Sequence, residues 1–188
     1  MKIKNFKIVT SWRDVADSAR TTVGMSPGDK EISSSWKKKM LLAEHSPIRQ
    51  LIFKWKWVDL PSWVSVHFVR HKIGIEHFVS TQRTDRTGVN RDELPQGALV
   101  SHECIANAQA LITISRKRLC NQASTETIKA WTILILNLYK FEKELWECCV
   151  PECAYRGFCP ELKSCGWNNS KLYKKTIEVY KRREYGNL

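Results

Sequence analysis

No stretch of 18 consecutive apolar residues occurs in this chain, so a membrane-spanning helix is not expected. The first residues, MKIKNFKIVTSW, carry charge but have no apolar h-region and no small-residue cleavage site. Neither secretion nor a membrane span is therefore expected, and the default compartment is cytoplasmic. Zinc-finger, RNA-recognition and helix-turn-helix signatures are missing, which weighs against a nucleic-acid-binding module. Internal repeats and low-complexity linkers are also missing. The whole of residues 1–188 therefore reads as one domain, with a cysteine-rich segment at 148–167 and a basic C-terminal tail at 168–188.

What is present begins with charge. Lys and Arg number 31 against 19 Asp and Glu, a formal charge of +12. Such an excess suits nucleic acid, anionic lipid or phosphorylated small molecules, and composition alone does not choose among them. The seven cysteines are an odd number, and in a cytoplasmic chain they read as reduced thiols or metal ligands. Cys149, Cys153, Cys159 and Cys165, separated by three, five and five residues, offer four thiolates to zinc, although the two-residue knuckle common in structural zinc sites is missing. The alternative is a reduced, loop-rich cap in which Gly157 and Gly166 make turns.

Periodicity gives a coarse α+β architecture. Strands are expected over 6–11 and 51–58, the second alternating Ile52, Lys54 and Lys56 with Phe53, Trp55 and Trp57, and the stretch 75–80 is β-prone. Helices are expected over 12–22, over 33–43, after Pro61, over 104–119 and over 124–146. Residues 84–96 read as a loop and 150–167 as irregular. The expected fold is a small, twisted, mainly antiparallel sheet packed by long helices.

The densest chemistry lies in VRHKIGIEHFVSTQRTDRTGVNR, residues 69–91. Arg70, His71 and Lys72 stand together, Ser80 follows, then Arg83, Arg86 and Arg91. Arginine offers a fixed fork of donors to phosphate or an imide edge, and lysine a mobile point charge, so the cluster suits a bound polyanion. His67 and His77 read as packing or surface residues, and Glu76 and Asp85 as solvated.

The spacing resembles the signature of the flavin-dependent thymidylate synthases: Arg-His-Arg, seven residues, Ser. Here the third position is Lys72 and the serine is Ser80. Arg91 shortly before Leu94-Pro95 is similar to the family's next segment. Asn107 stands twelve residues after Pro95, and Arg118 eleven after Asn107. Arg118, Ala123 and Glu126 keep the register of the family's Arg, four residues, Ala-Gln-Trp-Glu, while Ser124 and Thr125 depart from it. Upstream, His45-Ser46-Pro47 resembles the family's His-x-Ser/Thr-Pro, so the likeness runs over roughly residues 12–135. Only ten residues separate Ser80 from Arg91 where many members insert several elements, which marks a compact variant.

The resemblance implies an enzyme that methylates dUMP to dTMP with FAD, using methylenetetrahydrofolate and NAD(P)H as co-substrates, in a homotetramer whose active sites are shared between subunits. It implies Arg118 as the catalytic residue at the pyrimidine edge, with Ser80, Arg83 and Arg91 also holding dUMP. It implies His45, Ser46, Arg70, His71, Lys72, Asn107 and Gln122 around FAD, Gln122 standing where members carry His. No metal is implied, and Ser80 is assigned to binding rather than attack. His77 and Phe78 replace an acidic or amide-bearing pair, and His67 a glutamine, so hydroxymethylation of a pyrimidine nucleotide is the alternative reaction. A basic, zinc-stabilised nucleic-acid-binding module is the alternative outside enzymes.

Overall fold

A computed structural model describes residues 1–182. Four strands form one antiparallel sheet: β1 (Lys2–Ile8), β2 (Ile52–Pro61), β3 (Ile75–Val79) and β4 (Leu99–Asn107), in the order β1-β2-β4-β3. Along β2 the expected alternation is realised. Phe53, Trp55, Trp57 and Leu60 are fully buried, while Lys54 and Lys56 project from the other face. Burying Phe53 alone contributes roughly 1.5–3 kcal/mol. Register then sets the core in rows: Trp55 lies opposite Cys104, itself opposite His77, and Trp57 lies opposite His102. On the polar face Lys54 and Glu103 pair across β2 and β4 at 2.7 Å.

Helices cover the apolar face. The described helices are α1 (Trp12–Thr21), α2 (Ser34–Leu42), α3 (Ser62–Val69), the short, wholly exposed α4 (Thr84–Thr87), α5 (Ala108–Arg118), α6 (Thr125–Tyr139), α7 (Lys143–Cys148), α8 (Glu152–Arg156) and α9 (Lys171–Lys181). Phe68 of α3 stacks on Trp57 at 4.6 Å, and Trp131 of α6 lies 6.2 Å from the same ring. No described helix is long and apolar enough to cross a membrane.

Several boundaries differ from expectation. The first strand begins at Lys2 and ends at Ile8, earlier than the 6–11 stretch. Residues 104–107 belong to β4, not to a helix, and α5 starts only after Asn107, whose side-chain oxygen accepts from the Ala110 N–H at 2.9 Å. That contact satisfies a first-turn donor and fixes where the helix begins. The long helix expected over 124–146 breaks after Tyr139: Glu142 has φ −140° and ψ 80°, outside helical geometry, and its carboxylate accepts from the Trp12 indole N–H at 2.7 Å inside the core. The irregular 150–167 segment holds α8, and the basic tail contains α9 up to Lys181. The tail's last residues, 183–188, lie outside the described residues.

Candidate functional site

Arg118 ends α5 at the point where α3 also ends. Its Nη2 donates to the His67 carbonyl at 2.7 Å and its Nε to His71 Nε2 at 2.8 Å. A guanidinium N–H only donates, so His71 Nε2 carries the lone pair and Nδ1 the proton. Burial, and then the neighbouring Arg118 and His77, lower the His71 pKa to about 4, so this imidazole is neutral near pH 7. Burial also lowers Arg118, with Arg70 as the second cause, which places those two cations close together. Among the described residues no carboxylate pairs with Arg118, Arg70, Lys72 or Arg91.

His71 is also held through its backbone. The His77 Nε2–H donates to the His71 carbonyl at 2.8 Å, His77 Nδ1 faces His102 Nε2 at 2.9 Å, and His102 Nδ1 faces Ser65 Oγ at 3.0 Å. Because a carbonyl can only accept, one run of neutral tautomers satisfies the chain: Ser65 O–H to His102, His102 N–H to His77, His77 N–H to His71. His102 is fully buried, and burial followed by His77 lowers its pKa to about 4. Cys104 Sγ lies 3.4 Å from His77 Nδ1, and burial raises its thiol pKa strongly. His77 thus holds the His71 backbone directly and His102 holds His77, a packing network that the sequence reading did not connect to His71. The His-x-Cys alternation in β4 was the available signal, hidden because residues 104–119 read as helix.

Beside these residues runs a groove of about 340 Å³ between α3 and the loop that follows β3, lined by Trp63, His67, Arg70, Gln82, Arg91 and Leu94 among others. The His67 ring nitrogen Nδ1 meets the Thr127 hydroxyl at 2.8 Å, and Ser124 donates to that hydroxyl at 2.7 Å. Thr127 thus ties the His67 ring, which lines the groove, to Ser124 at the start of α6. Burial, then Arg118 and Arg70, lower the His67 pKa.

The other expected residues fall in several places. Arg91 lines the groove with Arg70. Arg83 is exposed and held by both carboxylate oxygens of Asp85, at 3.0 and 2.7 Å, so Asp85 is an ion-pair partner as well as solvated. Ser80 Oγ accepts from the Ser101 N–H at 3.0 Å and extends the β3–β4 ladder by one residue, leaving its O–H to donate. Asn107 caps α5 and lies against Gly74, where an added Cβ would come within 2.7 Å of the asparagine amide and where φ is +72°. Lys72 is exposed at the end of the Arg70-His71-Lys72 run. His45 lines a separate groove with Trp36, Lys39 and Met40, next to exposed Ser46. Gln122 donates to the Lys163 carbonyl at 2.9 Å, toward the cysteine-rich segment. Cys149 is buried in the core beside Ser115, apart from Cys153, Cys159 and Cys165, which share a small cavity with Cys120.

No protein-family model matches the chain, and no curated protein sequence matches it. Solved structures do. A flavin-dependent thymidylate synthase, ThyX, from Helicobacter pylori, in complex with FAD and dUMP, superposes with TM-score 0.62 at 14% identity over 80% of this chain and 100% of that chain. Another structure of that enzyme with FAD and dUMP gives 0.63 at 14% identity over 80% of this chain and 99% of that one. The UMP/dUMP methylase PolB from Streptomyces cacaoi, bound with 5-Br dUMP, gives 0.58 at 14% identity over 84% and 96%. This α+β chain therefore has the fold of the flavin-dependent thymidylate synthases. PolB, a nucleotide methylase, shares that fold.

Proposed function

We propose that this protein is a flavin-dependent enzyme acting on the uracil ring of dUMP, a thymidylate synthase that forms dTMP with methylenetetrahydrofolate as carbon donor and NAD(P)H as reductant. The observation that carries this reading is Arg118: half-buried, without a carboxylate partner among the described residues, braced by His67 and His71, and close to the Arg70 and Arg91 groove. A positioned cation of this kind stabilises negative charge developing on a uracil carbonyl oxygen, because it needs no reorganisation when that charge appears. Arg91 takes the nucleotide phosphate, Ser80 gives its remaining O–H to the nucleotide, and Arg83 joins them by exchanging Asp85 for the more highly charged phosphate.

The residues present also fit FAD. Arg70, His71 and Lys72 offer two cations and a neutral imidazole N–H in one run, a donor set for a pyrophosphate and a carbonyl-rich ring edge. FAD, when bound, supplies the hydride and carries the one-carbon unit. His71 donates from Nδ1 while Arg118 holds its other nitrogen. Asn107 contributes its amide N–H2, since its oxygen is committed to Ala110. His45 and Ser46 line another face of the same chain, and Gln122 is turned to Lys163. A homotetramer with shared sites would supply His45 and Ser46 from a neighbouring subunit.

The test is binding. Titration of the full chain with FAD and then with dUMP is expected to give a yellow, flavin-loaded protein whose dUMP affinity depends on Arg118. Colourless protein that ignores both ligands and binds DNA in a salt-sensitive manner would overturn the proposal.

A further inference from the structure

Between α8 and α9 the chain is held by little apolar packing. Residues 157–170 contain one short 3-10 turn, Trp167–Asn169, and Phe158 and Leu162 are 58% and 109% exposed. The segment brings its two cysteines, one half-buried and one exposed, to a single cavity together with Trp167. Cys159 and Cys165 line that cavity with Cys153 of α8 and with Cys120, which follows α5 and lies 33 residues before Cys153 in sequence. The cavity measures about 10 Å³, the space of one water or one ion. The four thiols line this one space. All four are free cysteines.

We infer that Cys120, Cys153, Cys159 and Cys165 form a structural site for a single thiolate-bound metal ion of the zinc class, which clamps the 157–170 segment onto the ends of α5 and α8. Four sulfur donors with no open position define a closed, tetrahedral, structural site, and soft thiolates select zinc over magnesium or calcium. Four S–H bonds lose their protons to solvent as four metal–sulfur bonds form, with no change of oxidation state. Glu152 and Glu161 also line the cavity, the Glu152 carboxylate held by Arg156 at 2.6 Å and Lys117 at 3.6 Å, and the four sulfurs outnumber them as soft donors. Two contacts already hold the segment near its ligands: Gln122 to the Lys163 carbonyl at 2.9 Å, and the Tyr173 hydroxyl to the Cys153 carbonyl at 3.3 Å.

Among the described residues His77, His102 and Cys104 are the group whose donor atoms already lie within 4.8 Å of one another, whereas the four cysteine sulfurs share a cavity at wider spacing and close on the ion as it binds. The donor atoms of His77, His102 and Cys104 already have partners in the hydrogen-bonded chain from Ser65 to His71, which accounts for the cluster without an ion. It serves as the internal control.

The experiment is elemental analysis of the full chain purified from zinc-supplemented culture. We expect one equivalent of zinc, released when a mercurial blocks the thiols, and a thiolate-to-metal charge-transfer band after exchange for cobalt(II). Cys159→Ser, and Cys165→Ser at an exposed position where folding is not at stake, should each bring bound zinc close to zero. Cys104→Ala and Cys149→Ala should retain the full equivalent. A metal-free wild-type chain whose four thiols react freely or pair as disulfides would overturn the inference, as would metal lost with Cys104→Ala and kept with Cys159→Ser and Cys165→Ser.

Discussion

Arg118 gives one donor to a carbonyl and one to an imidazole, and keeps the rest of its fork for a ligand. Arg118→Ala should therefore weaken dUMP binding by about 1.5–3 kcal/mol, the scale of a charge-assisted hydrogen bond, while most flavin affinity remains. Calorimetric titration of both ligands measures this, and unchanged dUMP affinity would contradict the role. A second residue-scale consequence concerns acid. The folded His102 pKa is lowered to about 4, so between that value and the ordinary 6.5 the unfolded chain binds a proton that the folded chain does not. Stability is fully present above pH 6.5 and is lost as pH falls toward 4, with a slope of about 1.4 kcal/mol per pH unit for this group. His102→Asn should flatten the pH dependence of urea unfolding by that amount, and an identical slope in variant and parent would refute it. The position of Arg118 was legible in the sequence, from its register with Asn107. Its brace was not, because a hydrogen bond from α5 to the end of α3 depends on how the two helices pack, which spacing does not encode.

At the scale of elements, the boundary between β4 and α5 shows how sequence misleads. Ile105, Ala106 and Ala108 fit a helical period, so a helix from 104 looks reasonable. The alternation Val100, His102, Cys104 and Ala106 fits a strand only once a histidine is accepted as a core residue. The decisive signal is Asn107, a capping residue. Asn107→Ala should cost about 1 kcal/mol of stability. Asn107→Asp, which still caps, should restore stability but not flavin affinity, because the amide donor is gone. Denaturant unfolding and flavin fluorescence separate the two effects, and full flavin affinity in Asn107→Asp would remove the residue from the cofactor site. A second device joins α2 to α7: Lys38 and Glu147 pair at 3.0 Å with both side chains fully buried, Lys38 also reaches the Val179 carbonyl of α9 at 3.4 Å, and Arg182 bonds Glu147 as well. Glu147→Gln leaves a buried ammonium without its charge partner. It should cost about 3–5 kcal/mol in denaturant unfolding. A loss below 1 kcal/mol would show that this pair does not hold the helices together.

For the whole molecule, the α+β class and the central strand β2 were readable from alternation and helical periods. The strand order was not, since pairing β4 between β2 and β3 is a long-range choice. For the same reason the spacing of the cysteines from Cys149 onward does not reveal Cys120 beside them. The excess of 31 basic over 19 acidic residues is in keeping with several phosphate-bearing ligands meeting on one assembly. The most direct test of that picture is mass spectrometry of the nucleotide after the full chain is incubated with dUMP, methylenetetrahydrofolate, FAD and NADPH. A product heavier than dUMP by one methylene, formed only when all four are present, is the expected result. A hydroxymethylated product would keep the enzyme class and change the reaction. Unaltered dUMP, from protein shown to bind both FAD and dUMP, would contradict the function proposed for this fold.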